Sequence, residues 1–147
     1  MQFLFALIAV VVAAPGRAAA PKLPEPVAAV LRDYSAAMEA RSVEKLAAVF
    51  DPELFLFEGT HENAGWADYR DNHIGPEMKE WSEFKVLDAR VADAVIGTDL
   101  AYVSTVSTYR IVAGGKPVRI AAAESFVLVR RGGAWKIRHL HYSGKKL

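Results

Sequence analysis

From Trp81 to its C-terminus the chain alternates apolar and polar residues with a period of two, and this alternation constrains its fold more than any other feature. Three turn strings interrupt it, "GTD" at 97–99, "AGGKP" at 113–117 and "RGG" at 131–133. Glycine-rich strings between alternating runs are hairpin signals, so the segment reads as four long strands in an antiparallel meander. Alternate side chains leave opposite faces of a strand. Such a sheet has one face to bury, and the upstream half must cover it.

That half is largely helical. Val27, Val30, Leu31, Tyr34 and Met38 recur at helical spacing and predict one amphipathic helix over 26–40. Ser42 is placed to cap a second, short helix that turns Leu46, Ala47 and Phe50 inward and stops at Asp51-Pro52. "LFLFE" follows as a short strand ending at Glu58 and expected to join an edge of the meander. Asn63 is the expected N-cap of a third helix, with Trp66, Tyr69 and His73 on one face and Gly75-Pro76 as its end. Three helices followed by a long antiparallel sheet predict an α+β fold, with the helices laid on one face of a curved sheet.

At 147 residues and 52% hydrophobic, the chain suits one domain with a real core. The apolar run "FLFALIAVVVAA" followed by "PGRAAA" predicts a secretory leader over residues 1–20, leaving 21–147 as the domain. The run is short against the roughly 20 residues of a spanning helix, so a retained anchor is the lesser alternative. A periplasmic or secreted location is therefore expected, with no stable membrane insertion once the leader is gone. Loss of Arg17 with the leader would leave 17 basic against 17 acidic residues, a balance that gives no pull toward nucleic acid. The absence of cysteine excludes disulfides, thiolate metal sites and cysteine nucleophiles.

The strings "LRDYSAAMEARSVEKLAAVFDPELFLFEG" and "ESFVLVRRGGAWKIRHLHYS" resemble the opening and closing segments of SnoaL-like domains in the nuclear transport factor 2-like superfamily. The resemblance implies a cone-shaped, strongly bent antiparallel sheet closed by three N-terminal helices around a pocket. Members of that superfamily include isomerases, dehydratases, cyclases and proteins without catalysis, so function has to come from the pocket residues. The resemblance also implies dimerisation through the outer sheet face, for which Tyr102, Val106, Leu140 and Tyr142 are candidates.

Two constellations carry chemistry. In "WKIRHLHYS", strict alternation puts Trp135, Ile137, His139 and His141 on one face, and the resembled fold sets that face opposite His73. Glu58, His61 and Glu124 are placed to complete the cluster, and Trp66, Tyr69 and Trp135 to line the pocket beside it. Imidazole and carboxylate are the ligands left for zinc or copper when thiolates are absent, so His73, His139, His141 and His61 are the expected metal ligands. The second constellation is Tyr34 with Glu58: the ketosteroid isomerase branch implies a phenol that steadies an oxyanion and a carboxylate base that moves a proton beside a carbonyl. The expectation is an exported pocket protein that binds a divalent metal or a small ligand. A cofactor-independent isomerase or hydro-lyase and a non-catalytic dimeric module are the alternatives.

Overall fold

The computed structural model describes residues 20–147 and opens with α1 (Glu25–Ala40) and α2 (Val43–Val49). Pro26 falls in the first turn of α1, where its missing N–H leaves no hydrogen bond unmade. Arg41 ends the helix in the left-handed region (φ 51°, ψ 46°) and its N–H returns to the carbonyls of Ala37 and Met38. Ser42 caps α2 as expected, its Oγ accepting from the Lys45 N–H at 3.2 Å. Val27, Tyr34, Ala37 and Met38 form the buried stripe of α1, and Leu46 and Val49 that of α2. The expected leader lies outside the described residues, save Ala20. Among the described residues no helix is long and apolar enough to cross a membrane.

The sheet has six strands, β1 (Phe50–Glu58), β2 (His61–Ala64), β3 (Trp81–Ile96), β4 (Leu100–Ala113), β5 (Lys116–Arg131) and β6 (Ala134–Lys146), in the order β2-β1-β6-β5-β4-β3. The last four form the expected antiparallel meander. β1 joins its edge, as expected, but runs parallel to β6, so the sheet is mixed and not antiparallel throughout. A helical crossover, not a hairpin, carries the chain from β1 and β2 to β3 at the opposite edge, and a crossover leaves strand direction free. β2, unforeseen in the sequence, folds back on β1 through a turn at Gly59 (φ 58°).

Helices and sheet share one core. Leu54 and Leu56 of β1, Ala101 and Val103 of β4, Phe126 and Leu128 of β5, and Ile137 and Leu140 of β6 are buried on the covered face. Strict alternation holds along β5 and breaks in β6. Val127 pairs with His139 while Leu128 pairs with Ile137, so Arg138 is an extra residue, a bulge. Ile137 and Leu140 consequently face the same way, and the phase read forward from Trp135 inverts beyond Arg138. Leu140 and Tyr142 therefore face the helices, not the outer surface as expected. Tyr102 neighbours the inward-facing Ala101 and Val103 and so lies on the outer face, where Val106 is 37% exposed.

The third helix is a composite of α3 (Trp66–Tyr69), a π-helical turn (Arg70–Ile74) and α4 (Gly75–Glu80). Asn63 lies buried in β2 instead of capping it, and Gly65 (φ 96°) holds the N-cap place. Gly75-Pro76 does not end the helix. A proline ring collides with the preceding turn of an α-helix and offers no N–H; the wider π turn, closed by the Gly75 N–H on the Arg70 carbonyl, lets the helix pass through it. Glycine is required at 75 because a Cβ there would lie 2.3 Å from the Arg70 carbonyl oxygen. Gly75→Ala is expected to cost on the order of 1–3 kcal/mol of stability through overpacking. A thermal melt should show a midpoint several degrees lower; an unchanged midpoint would mean the π turn relaxes freely.

Candidate functional site

Between the concave face of the sheet and the helices lies a cavity of about 430 Å³. Met38, Leu56, Ile74, Phe84, Ile120 and Leu140 make it apolar, and Trp81, Tyr34, Tyr69, Tyr109 and Tyr142 add aromatic walls. Three carboxyl side chains, Glu58, Glu77 and Glu124, and the Lys146 amine also reach it. A shallower groove beside α2, about 330 Å³ and bordered by Arg41, Glu44, Arg70 and Asp71, has much of its charge neutralised internally, since Arg70 grips Asp71 at 2.7 Å.

Glu124, on the inward face of β5, is only 3% exposed and is surrounded by hydroxyls. Tyr34 of α1 donates to its Oε1 at 3.2 Å, and Tyr109, Thr105 (3.3 Å) and Ser107 (3.5 Å) of β4 approach Oε2. Burial raises the carboxyl's pKa and the hydroxyl donors oppose the rise. Burial also lifts the phenols of Tyr34 and Tyr109, helped by the nearby Glu124 charge, so both keep their protons. Tyr142, opposite Glu124 in the β5–β6 register, is pushed up to about 12 by burial and by the charges of Glu58, Glu124 and Glu77.

The second polar group is a chain of side chains from β1, β2, α3 and the π turn. Asp68 accepts from Asn63 Nδ2 (3.0 Å), from Asn72 Nδ2 (2.8 Å) and from the Ala64 N–H (3.1 Å), and these bonds hold its carboxyl below the usual carboxylate range. With its amide nitrogen on Asp68, Asn63 turns Oδ1 to His73 Nδ1 at 2.7 Å. An amide oxygen can only accept, so Nδ1 carries a proton. The other ring nitrogen, Nε2, faces two carboxylates, Glu58 at 3.0 Å and Glu77 at 3.7 Å. The hydrogen bond to Glu58 leads the causes that raise the pKa of His73 above its ordinary value, against a desolvation that lowers it. Burial raises that of Glu77.

Of the residues expected to form the site, Tyr34, Glu58, Tyr69 and Glu124 all line this cavity. His73 turns inward and His61 stands against it, ring centroids 5.1 Å apart. His139 and His141 do not converge with them. The bulge at Arg138 turns both to the outer face, where His139 stacks on Phe55 (6.4 Å) and His141 meets Phe57 (6.1 Å). The sheet stands between these rings and His73, which removes the expected four-histidine set, and the described residues hold no group of three or more His, Asp or Glu suited to a metal ion. Trp66 stacks on Phe50 (5.4 Å) and Trp135 packs against the core; both lie outside the cavity lining. Sequence reasoning missed Glu77 and Tyr109. Glu77 stands four residues after His73, a spacing that brings helical side chains together, and Tyr109 shares the inward phase of β4 with Val103 and Ser107.

Replacing both His139 and His141 with alanine is expected to leave the affinity of a cavity ligand unchanged to within about twofold, the ordinary range for substitutions away from a site. Calorimetry on the variant checks this, and a tenfold loss would place the rings back in the pocket.

Residues 27–145 match the family model described as a SnoaL-like domain. Among solved structures, a nuclear transport factor 2-like superfamily protein from Salmonella enterica serovar Typhimurium is 21% identical over 80% of this chain and 87% of its own, with a TM-score of 0.73. A proposed dehydratase from Streptomyces avermitilis is 17% identical over 82% of this chain and 95% of its own (TM-score 0.69). A proposed ketosteroid isomerase from Shewanella frigidimarina is 20% identical over 81% and 95% (TM-score 0.67). At these identities the structures share the fold alone. No curated protein matches the chain in sequence.

Proposed function

The chain belongs to the SnoaL-like domain family, and from its cavity we propose that it is a cofactor-independent enzyme that moves a proton beside the carbonyl of a small, largely apolar molecule, as an isomerase or hydro-lyase does. One observation carries this reading: a carboxylate braced by a histidine and a cluster of phenols around a buried carboxyl border the same apolar cavity. Glu58 is the base. The His73 ring holds its Oε2, leaving lone pairs of the carboxylate for a proton on carbon. The cluster at Glu124 receives the carbonyl oxygen. A proton on Glu124 can satisfy the hydroxyl ring from within, freeing the Tyr34 hydroxyl to donate to the oxyanion that develops. Structural neighbours described as a proposed dehydratase and a proposed ketosteroid isomerase agree with this chemistry. The expected four-histidine zinc or copper site is no part of this reading, because His139 and His141 lie across the sheet from His73.

Binding tests the pocket itself. Cyclic ketones and planar phenols, which imitate an enolate, should shift the NMR signal of the Trp81 indole and displace one another. Ile120→Trp, which fills the cavity, should abolish the shift. Binding that persists in that variant would place the ligand elsewhere.

A further inference from the structure

Glu77 and His73 lie four residues apart, a spacing that usually means an ordinary helix-surface pair. Three observations set this pair apart. Glu77 lines the same cavity as Glu58. The His73 side chain is only 10% exposed, and Asn63, itself held by Asp68, fixes its Nδ1 so that the ring cannot turn away. Its single Nε2–H then faces two carboxylates at 3.0 and 3.7 Å and can serve one at a time. The titratable groups around the ring are Glu58 from β1, His61 from β2, Asp68 and Tyr69 from α3, and Glu77 from α4.

We infer that Glu77 is a second catalytic carboxyl, that His73 hands protons between it and Glu58, and that the substrate class is a β-hydroxy carbonyl compound from which the site eliminates water. This rests on the reading of Glu58 as the base. In the forward step Glu58 takes the proton from the carbon beside the carbonyl, and the electrons of that C–H bond form the C=C bond. The β C–O bond breaks, its electron pair stays with the oxygen, and neutral Glu77 protonates the departing hydroxyl. The products are an unsaturated carbonyl compound and water, with Glu58 now neutral and Glu77 ionised. His73 restores the start by giving its Nε2 proton to Glu77 and taking the one on Glu58, while Nδ1–H stays on Asn63. Protons and charge balance over the cycle, and no co-reactant is consumed. Glu77 is 43% exposed in its side chain, and its partial burial, followed by the neighbouring charges of Glu58 and Glu80, raises its pKa against the lowering charge of His73, which favours the neutral form the acid's part needs.

The test pairs kinetics with a titration. With 3-hydroxycyclohexanone as the elimination probe and cyclohexanone as an exchange probe that lacks the leaving group, Glu77→Gln should slow elimination by about 100-fold or more and slow deuterium exchange into cyclohexanone at least about tenfold less than that. Glu58→Gln should lose both. His73→Gln should give one fast turnover followed by a slower steady rate, which a residue that only supports the fold would not produce. Elimination that survives Glu77→Gln, or a His73 variant without the burst, overturns the inference. If the wild type neither exchanges nor eliminates, the reading of Glu58 as base fails, and a carbon-13 carboxyl titration decides the coupling by itself. Glu77 should then titrate above the ordinary glutamate range and move down in Glu58→Gln, as one like charge is removed. An ordinary midpoint unmoved by that substitution counts against the acid role.

Discussion

Replacing Glu58 with glutamine is expected to slow turnover of a carbonyl substrate by about 10²–10⁴-fold, the usual contribution of a positioned general base. The amide has nearly the same shape, and its oxygen can still accept from His73 Nε2, now 3.0 Å from the carboxylate. What the variant loses is a group able to hold a proton taken from carbon. Affinity for planar phenols should change by no more than about threefold, so the loss belongs in kcat and not in ground-state binding. Glu58 is 44% exposed in its side chain, and the melting midpoint should stay close to that of the wild type. Equal turnover by the two proteins in a stopped-flow assay would remove Glu58 from the chemistry.

Glu124→Leu is expected to be the most damaging single change to the fold among the cavity carboxyls, costing on the order of 2–5 kcal/mol. The leucine fills similar space but leaves the hydroxyls of Tyr34, Tyr109, Thr105 and Ser107 without their shared acceptor, and each buried unsatisfied group costs roughly 1–3 kcal/mol. Glu124→Gln keeps an acceptor and separates charge from hydrogen bonding. The sign of its pH dependence follows from linkage. Burial raises the pKa of Glu124 in the folded state, so the folded protein binds that proton more tightly than the unfolded chain does. Its favourable contribution is complete below the ordinary glutamate pKa and is lost as pH rises through the folded value. The stability of Glu124→Gln relative to the wild type should therefore grow with pH, as urea melts at a series of pH values would show. A constant difference would mean that Glu124 titrates alike in both states.

Periodicity made the meander and the first two helices legible, and residue type the Ser42 cap of the second, because each depends on neighbours in sequence: Ser42 bonds Lys45 three residues on, and the glycines of the hairpin turns sit beside the strands they join. It also placed Tyr34, Tyr69 and Glu124 on faces that turn out to border one cavity. The histidine pair was misplaced by a single residue. Alternation is a sum of identical steps, so one bulge at Arg138 inverts everything after it, and nothing in "WKIRHLHYS" marks that residue as the extra one. The π turn was hidden for a similar reason. Gly75-Pro76 is a stop signal in an α-helix, and only a widened turn, itself set by packing of Ile74 and Met78 into the core, lets the helix continue and bring Glu77 beside His73. The parallel pairing of β1 with β6 joins residues about 80 apart, a distance over which local patterns carry no directional information.

The central claim is that this cavity removes a proton from carbon through Glu58. The most direct measurement is proton NMR of cyclic ketones in heavy water, following loss of the signals beside the carbonyl with wild-type protein, with Glu58→Gln, and without protein. Exchange faster than the protein-free rate with the wild type, falling by about 100-fold or more in Glu58→Gln, is the predicted result. Exchange at the protein-free rate for ketones that demonstrably bind in the cavity, or equal acceleration by both proteins, would contradict it.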